Sequence, residues 1–257
     1  MLPDPYRSDN LHDQVFVKIF TAQRVTIGAE WNSRDVCSGY WRLYVNARDG
    51  AGVQWAGGYY PLPARRVHFI PAWVRFTCVN HRPLEHFYIH FDLIGLTGVT
   101  VQRLFQKPLS VAPIPPPAPD NIFRVKAFVY TALGELLATV PARQWLEWQT
   151  AHSPVAPAIR HIEDHLGELI TNAQLAALCH FSEDHFTRLF RQRVGRTPAQ
   201  YILERRIAAA THRLAFTSDS IEQIAERLAF ANRFHFTRMF TQRMGVSPAA
   251  YRKRARV

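Results

Sequence analysis

His185–Tyr201 reads HFTRLFRQRVGRTPAQY, and His235–Tyr251 reads HFTRMFTQRMGVSPAAY; eleven of the seventeen positions are identical at a spacing of fifty residues. Local grammar surrounds both copies in the same way. In the first, TNAQLAALCHF opens a helix: Thr171 and Gln174 stand at the spacing of a capping box, and Leu175, Ala176 and Leu178 form the expected buried side. His180 and Phe181 turn the chain. Ser182 then caps a second helix whose inward residues are Phe186, Leu189, Phe190 and Val194, and Gly195 is placed to end it in the left-handed region. The second copy predicts a capping box from Asp219 and Glu222, a turn at Ala229-Phe230-Ala231, a helix built on Phe236, Met239 and Phe240, and a stop at Gly245. After each copy comes a cap followed by proline, Thr197-Pro198 and Ser247-Pro248, with proline at the first helical position where its missing N–H costs nothing. Two copies at this period make a pair of small units rather than a solenoid.

Two helices joined by a tight turn are a helix-turn-helix, whose second helix can enter the DNA major groove. The outward residues of that helix are Asp184, His185, Thr187, Arg188 and Arg191 in one copy, and Arg233, Phe234, His235, Thr237 and Arg238 in the other. Arginine can bond guanine O6 and N7 in a bidentate manner, and threonine can meet a thymine methyl. The bland alternative makes Arg188 and Arg238 ordinary surface residues of amphipathic helices; their recurrence at one outward position argues for the reading role. Between the copies, Leu203, Ile207, Ala210 and Leu214 predict one continuous helix from Pro198 to Arg213. At about 1.5 Å per residue it is a rigid spacer of roughly 24 Å. Two reading helices so coupled can reach successive major-groove segments about 34 Å apart on one side of a duplex.

Charge placement agrees. The chain of 257 residues has a net charge of +11, and no acidic residue follows Glu226, whereas Arg227, Arg233, Arg238, Arg243, Arg252, Lys253, Arg254 and Arg256 do. A one-signed stretch suits a polyanion, although a solvated basic tail is the alternative that charge alone leaves open. With 47% hydrophobic residues the chain can bury a core, which excludes a disordered class. Cys37, Cys78 and Cys179 are scattered and form no C-x-x-C pair, which argues against a disulfide framework or structural zinc and for a reducing compartment. The N-terminus lacks a signal pattern and no apolar run approaches membrane-spanning length, so a soluble cytoplasmic protein with no membrane partner is expected.

Upstream, QVFVKIF, YWRLYV, RVHFIP, VRFTCV and HFYIHFDL predict short strands broken by turns at RDGAG and AGG. In HFYIHFDL, Phe87, Ile89 and Phe91 alternate with Tyr88 and His90, the pattern of a strand with two unlike faces. An all-β sandwich or small barrel follows. VAPIPPPAPD, from Val111 to Asp120, holds five prolines and reads as a stiff extended connector. After it, Ile122, Val125, Val129, Ala132, Leu133, Leu136 and Leu137 mark one amphipathic helix that ends before Pro141.

The motifs LAALCHFSEDHFTRLFRQRVGRTPAQYI and IEQIAERLAFANRFHFTRMFTQRMGVSPAAYR, with Gly-x-Thr/Ser-Pro-x-x-Tyr endings, resemble the AraC/XylS family of bacterial transcription regulators over about residues 156–254. The resemblance implies an α+β chain: a cupin-like effector-binding β-barrel over 1–110, a proline-rich connector and dimerisation helix over 111–150, and a DNA-binding domain with two helix-turn-helix units over 151–257. Carried residue by residue, it implies DNA contacts from Ser182, Asp184, His185, Thr187, Arg188 and Arg191, and from Asn232, Arg233, His235, Thr237 and Arg238. The second copy departs from the pattern: its turn is one residue longer, and Phe234 puts an aromatic where polar residues are usual. VHFIPAWVRFTCVNHRPLEHFYIHFDL looks like the later strands of the family's effector barrel. The implied partners are double-stranded DNA, a small-molecule effector that is often a sugar, and a second copy of the chain.

For the effector, Trp31 and Trp41 are the candidate stacking rings, with Arg42 and His90 as polar groups beside them. His68, His81, His86 and His90 fall in the strand-rich region, yet no His-x-His exists and Glu85 would point away from His86 and His90; neither a metal site nor a cofactor is expected. No nucleophile elbow, P-loop, dinucleotide fingerprint or helical H-E-x-x-H appears. The expected function is therefore an effector-controlled, sequence-specific transcription regulator and not an enzyme. The competing readings are a cupin-type metal enzyme with a basic helical appendage, and an architectural DNA binder without an effector.

Overall fold

A computed structural model of the chain describes residues 16–94, 103–141 and 153–255. Eight strands come first: β1 (Phe16–Ile27), β2 (Trp41–Asn46), β3 (Ala51–Trp55), β4 (Gly58–Pro61), β5 (Val67–Ile70), β6 (Phe76–Asn80), β7 (Leu84–Ile94) and β8 (Leu109–Val111). Helices follow: α1 (Ile122–Ala138), α2 (Ala156–Asp164), α3 (Asn172–Leu178), α4 (Glu183–Val194), α5 (Pro198–Phe216), α6 (Ile221–Arg227), α7 (Arg233–Met244) and α8 (Pro248–Ala255). The described part is thus α+β, with its sheets first and its paired helical units last.

The strands make two antiparallel sheets, one in the order β1-β7-β2-β5-β8 and one in the order β4-β3-β6. The expected barrel is not closed. Where β4 and β8 approach, the contact is between side chains, Tyr60 Oη and Ser110 Oγ at 2.6 Å, and no ladder joins them. Each strand spends its ladder on one neighbour, β4 on β3 and β8 on β5, and stands at the edge of its own sheet. β3, β4 and β8 were not predicted: AGVQW and GYYP lack a run of β-branched residues, and LSV is only three residues long.

Period-two alternation sorts the large sheet into two faces. Trp41, Leu43 and Val45 of β2 and Phe87, Ile89 and Phe91 of β7 face α1, where they join Val125, Phe128, Val129, Ala132, Leu133 and Leu136 in one buried core. Of the predicted inward residues of α1, Ile122 is instead exposed and Leu137 only half-buried, because the helix meets the sheet from Val125 onward; Phe128 fills the face. Tyr44 on the opposite face of β2 packs with Val53, Phe76 and Cys78 in a second core under the small sheet.

The helical part holds two further cores, one for each helix-turn-helix. Leu175, Ala176, Phe186, Phe190 and Val194 close the first with α2, and Ile224, Ala225, Phe236, Phe240 and Met244 close the second. Leu178, expected inside, is exposed, because α3 ends there and the chain turns away. The second core extends into the sheet part: Cys37 belongs to it and Trp73 packs against it.

Candidate nucleic-acid interface and interdomain cavity

The two helix-turn-helix units repeat at atomic detail. Thr171 and Gln174 form the capping box of α3. In the second unit the box uses Ser220 and Gln223, not the predicted Asp219 and Glu222. Asp219 is instead drawn to Arg213, 2.8 Å away. Each turn passes through a left-handed residue that is not glycine, His180 at φ 58° and Ala229 at φ 50°. Gly195 and Gly245 end α4 and α7 at φ 75° and 77°, where a side chain would be strained. The second turn is one residue longer, running Leu228 to Asn232 against Cys179 to Ser182.

Along α4 and α7 the exposure pattern nearly coincides. Asp184, Arg188 and Arg191 are exposed, as are Arg233 and Arg238, whereas His185, Thr187, His235 and Thr237 are half-buried at the edge of that face. Ser182 occupies the cap position of α4 without a side-chain capping bond. Asn232 does cap α7, its Oδ1 accepting from the His235 N–H at 2.8 Å. The Arg188 guanidinium sits 3.3 Å from His185 Nδ1. Arg233 lies over the Phe234 ring at 5.6 Å, and that ring is 78% exposed. Arg188, Arg191, Arg233 and Arg238 take part in none of the ion pairs among the described residues, whereas Arg196 and Arg243 both lie 3.9 Å from the buried Glu204. Exposed cations without an internal counter-charge are the ones available to phosphates and base edges.

The spacer is longer than predicted. α5 has nineteen residues, which at 1.5 Å each gives about 28 Å. Thr197 and Gln200 cap it with a reciprocal box. Arg206 fastens it to both units, donating to the carbonyls of Leu166 at 3.0 Å and Glu168 at 2.6 Å on one side and of Ala229 at 3.1 Å on the other.

The same helix is docked against the sheets. Arg205 Nε donates to Glu163 Oε1 of α2 at 2.7 Å, and its Nη2 pairs with Asp92 of β7. The Gly39 N–H donates to Thr211 Oγ1 at 3.4 Å, and a Cβ on Gly39 would fall 2.4 Å from that of Ala208. Tyr251 of α8 donates to the Cys37 carbonyl at 2.9 Å, Arg75 donates to the Met244 carbonyl at 3.1 Å, and Arg243 stacks over Trp73 at 4.3 Å.

Between sheet and helices lies a cavity of about 340 Å³. Of the predicted effector residues, Trp31, Arg42 and His90 line it. Trp41 does not; it points to the other face of β2 and stacks on Phe91 at 6.1 Å in the core. Tyr40, immediately before β2, and Tyr44 on it line the cavity beside Arg42, and YWRLYV already carried that signal, since alternation along an extended stretch puts residues 40, 42 and 44 on one side. Phe216, Tyr251 and Arg254 close it from the helical side, and nothing local in the sequence marked them.

The imidazoles here are held neutral. Burial pushes His86 down to about 3 and His90 well below the ordinary histidine range, with Arg42 adding to the effect on His90. His86 Nδ1 bonds Asn46 Oδ1 at 2.7 Å. Its Nε2 and the Nδ1 of His90 are buried without a hydrogen-bond partner. Among the described residues, no group of three or more His, Cys, Asp or Glu side chains is arranged to hold a metal ion, and no helix is long and apolar enough to cross a membrane.

A family model described as a helix-turn-helix domain matches residues 175–254. The uncharacterized HTH-type transcriptional regulator YbfP of Bacillus subtilis (strain 168) is 41% identical over 71 residues, which is 28% of this chain and 24% of YbfP. LumQ of Photobacterium leiognathi, described as a probable transcriptional regulator, is 30% identical over 73 residues, 28% of this chain and 29% of LumQ. This chain therefore spans less than a third of the length of either relative. A solved transcriptional regulator with an AraC-type DNA-binding domain, from Chromobacterium violaceum, is 28% identical, covering 42% of this chain and 96% of that one at a TM-score of 0.39. Residues 175–254 are thus a helix-turn-helix domain, similar to the AraC-type DNA-binding domain of that regulator.

Proposed function

We propose that the chain is a cytoplasmic, sequence-specific transcription regulator whose grip on DNA responds to a small molecule in the interdomain cavity. The observation that carries the DNA-reading half is the exposed arginine that recurs at one position of both units, Arg188 on α4 and Arg238 on α7, with Arg191 and Arg233 exposed beside them and both helices joined by one rigid rod. Ser182, Asp184, His185, Thr187, Asn232, His235 and Thr237 supply the polar contacts around them. Phosphate contacts set register, and arginine and threonine at base edges read sequence.

The effector half rests on shared walls. Arg42 and His90 come from the sheet, Phe216 and Tyr251 from the helices, so a molecule seated there touches both parts. A ligand that binds one arrangement of the two parts better than another shifts the population toward it, and the helices that read DNA shift with it. This favours an effector-controlled regulator over a purely architectural binder. The protein acts as a homodimer, with the exposed flank of α1 carrying Ile122, Phe123 and Tyr130 as its contact.

Selection of bound duplexes from a random pool tests the reading. Two half-motifs about one helical turn apart for each protomer are expected. Recovery of duplexes with no shared sequence would overturn sequence-specific recognition.

A further inference from the structure

Arg42 is a buried cation with no anion. Its residue is 5% exposed, and it appears in none of the ion pairs among the described residues. Its guanidinium donates to Ser38 Oγ and, at 3.3 Å, to Tyr40 Oη. It also lies 4.7 Å from the Tyr40 ring centre and 5.3 Å from that of Phe76. Two neutral hydroxyls and two aromatic faces soften the cost of burial, but a buried charge without a counter-charge is costly enough that proteins rarely keep one without a use. The other buried arginine, Arg205, is held between two carboxylates. Arg42 has none, and it faces a cavity.

The rest of the cavity fits the same occupant. His90, opposite Arg42 in the β2–β7 register, is half-buried, and its ring Nδ1 is buried without a hydrogen-bond partner. The two carboxylates of the lining sit at the exposed rim and are engaged elsewhere: Glu30 accepts from the Gly28 N–H, and Asp35 holds Arg75 and Arg254. The remaining wall is largely aromatic, with Trp31, Tyr44, Tyr88 and Phe216.

We infer that the interdomain cavity binds a small organic monocarboxylate with an apolar body, its carboxylate held in the guanidinium fork of Arg42 and its body among the aromatic rings. This rests on the effector reading above and replaces the sugar expected of the family with an acid. A carboxylate accepts two parallel N–H bonds from a guanidinium, and the pairing gains strength where water is excluded. An uncharged sugar would leave the Arg42 charge uncompensated.

Matched acid and amide pairs test the ligand class on the whole 257-residue chain: benzoate with benzamide, hexanoate with hexanamide, and arabinose as a neutral polyol. Isothermal titration is expected to show at least one acid binding more tightly than its amide by roughly tenfold or more, the worth of one hydrogen bond to a charged group. Arg42→Gln should abolish that difference, and Arg42→Lys should retain part of it. Should Arg42→Gln not fold, the acid-to-amide ratio in the unaltered protein still decides. Equal binding of acid and amide, or no binding of either acid, overturns the inference. If arabinose or an amide binds and the acids do not, the cavity remains an effector site and only the ligand class fails. If no probe of any kind binds, the effector reading fails with it.

Discussion

Arg205 of α5 and Asp92 of β7 form a buried ion pair, each side chain 9% exposed. The pair joins the rod that carries both reading helices to the strand that walls the cavity. Glu163 of α2 completes it on the other side of the guanidinium and also accepts from Tyr201 Oη at 2.7 Å. Removing the arginine leaves two buried carboxylates facing each other. Arg205→Met should therefore lower stability by about 3–5 kcal/mol, whereas Asp92→Asn should cost less because Glu163 still neutralises the cation. Urea denaturation of the two variants measures the order, and an Asp92→Asn variant that proves the weaker of the two would contradict it.

Gly39 sets how closely the sheets approach the rod. An added Cβ would lie 2.4 Å from the Cβ and 2.6 Å from the Cα of Ala208, closer than atoms can pack. One of those is backbone, so no rotamer change relieves the contact. Gly39→Ala is expected to destabilise by about 1–3 kcal/mol, as overpacking does. It should also split a single unfolding transition into separate sheet and helix transitions. A calorimetric scan would record the split, and an unchanged single peak at the original temperature would refute the role assigned to Gly39.

Acid should loosen the fold through its buried histidines. Burial holds His86 down at about 3 and His68 and His212 at about 4, and His90 well below its ordinary value. His68 is further fixed as a neutral ring, Nε2 donating to the Pro63 carbonyl at 2.8 Å while Nδ1 meets Ser110 Oγ at 2.7 Å. In the unfolded chain these rings protonate near pH 6.5. Between the two values the unfolded state takes up protons that the folded state refuses, so stability is full above about pH 6.5 and falls as pH drops toward about 4. Chemical denaturation from pH 7.5 down to pH 4.5 should show that slope, and His68→Gln should flatten it; a stability independent of pH over this range would count against neutral burial.

Arg188→Ala and Arg238→Ala should each weaken binding to a selected duplex by about 1–3 kcal/mol and relax preference at particular base positions. Competition against single-base variants of the site reads this directly. A uniform loss over all sequences, with a smaller salt dependence, would make them phosphate contacts only.

The sequence by itself determined the two helix-turn-helix units, because every signal that specifies them is local. Caps, left-handed glycines, prolines at first helical positions and apolar residues at helical spacing act within a few residues, and at Thr171, Gly195, Thr197, Gly245 and Ser247 they act where they were read. The box sits at Ser220 and Gln223, one residue beyond the expected place, since Asp219 and Ser220 are both good caps and the Asp219 carboxylate is drawn to Arg213 and Arg227. The two faces of HFYIHFDL were legible for the same reason: alternation along a strand is a local property. What the tertiary structure alone decided is which face meets which neighbour. Trp41 and Arg42 are adjacent in sequence, yet one is core and the other cavity wall, a choice made by where α1 packs. The open edge between β4 and β8, the docking of Gly39 on Ala208 and the arrival of Phe216 and Tyr251 beside Arg42 all join residues far apart in the chain, and such contacts depend on how whole elements fit together rather than on any short stretch.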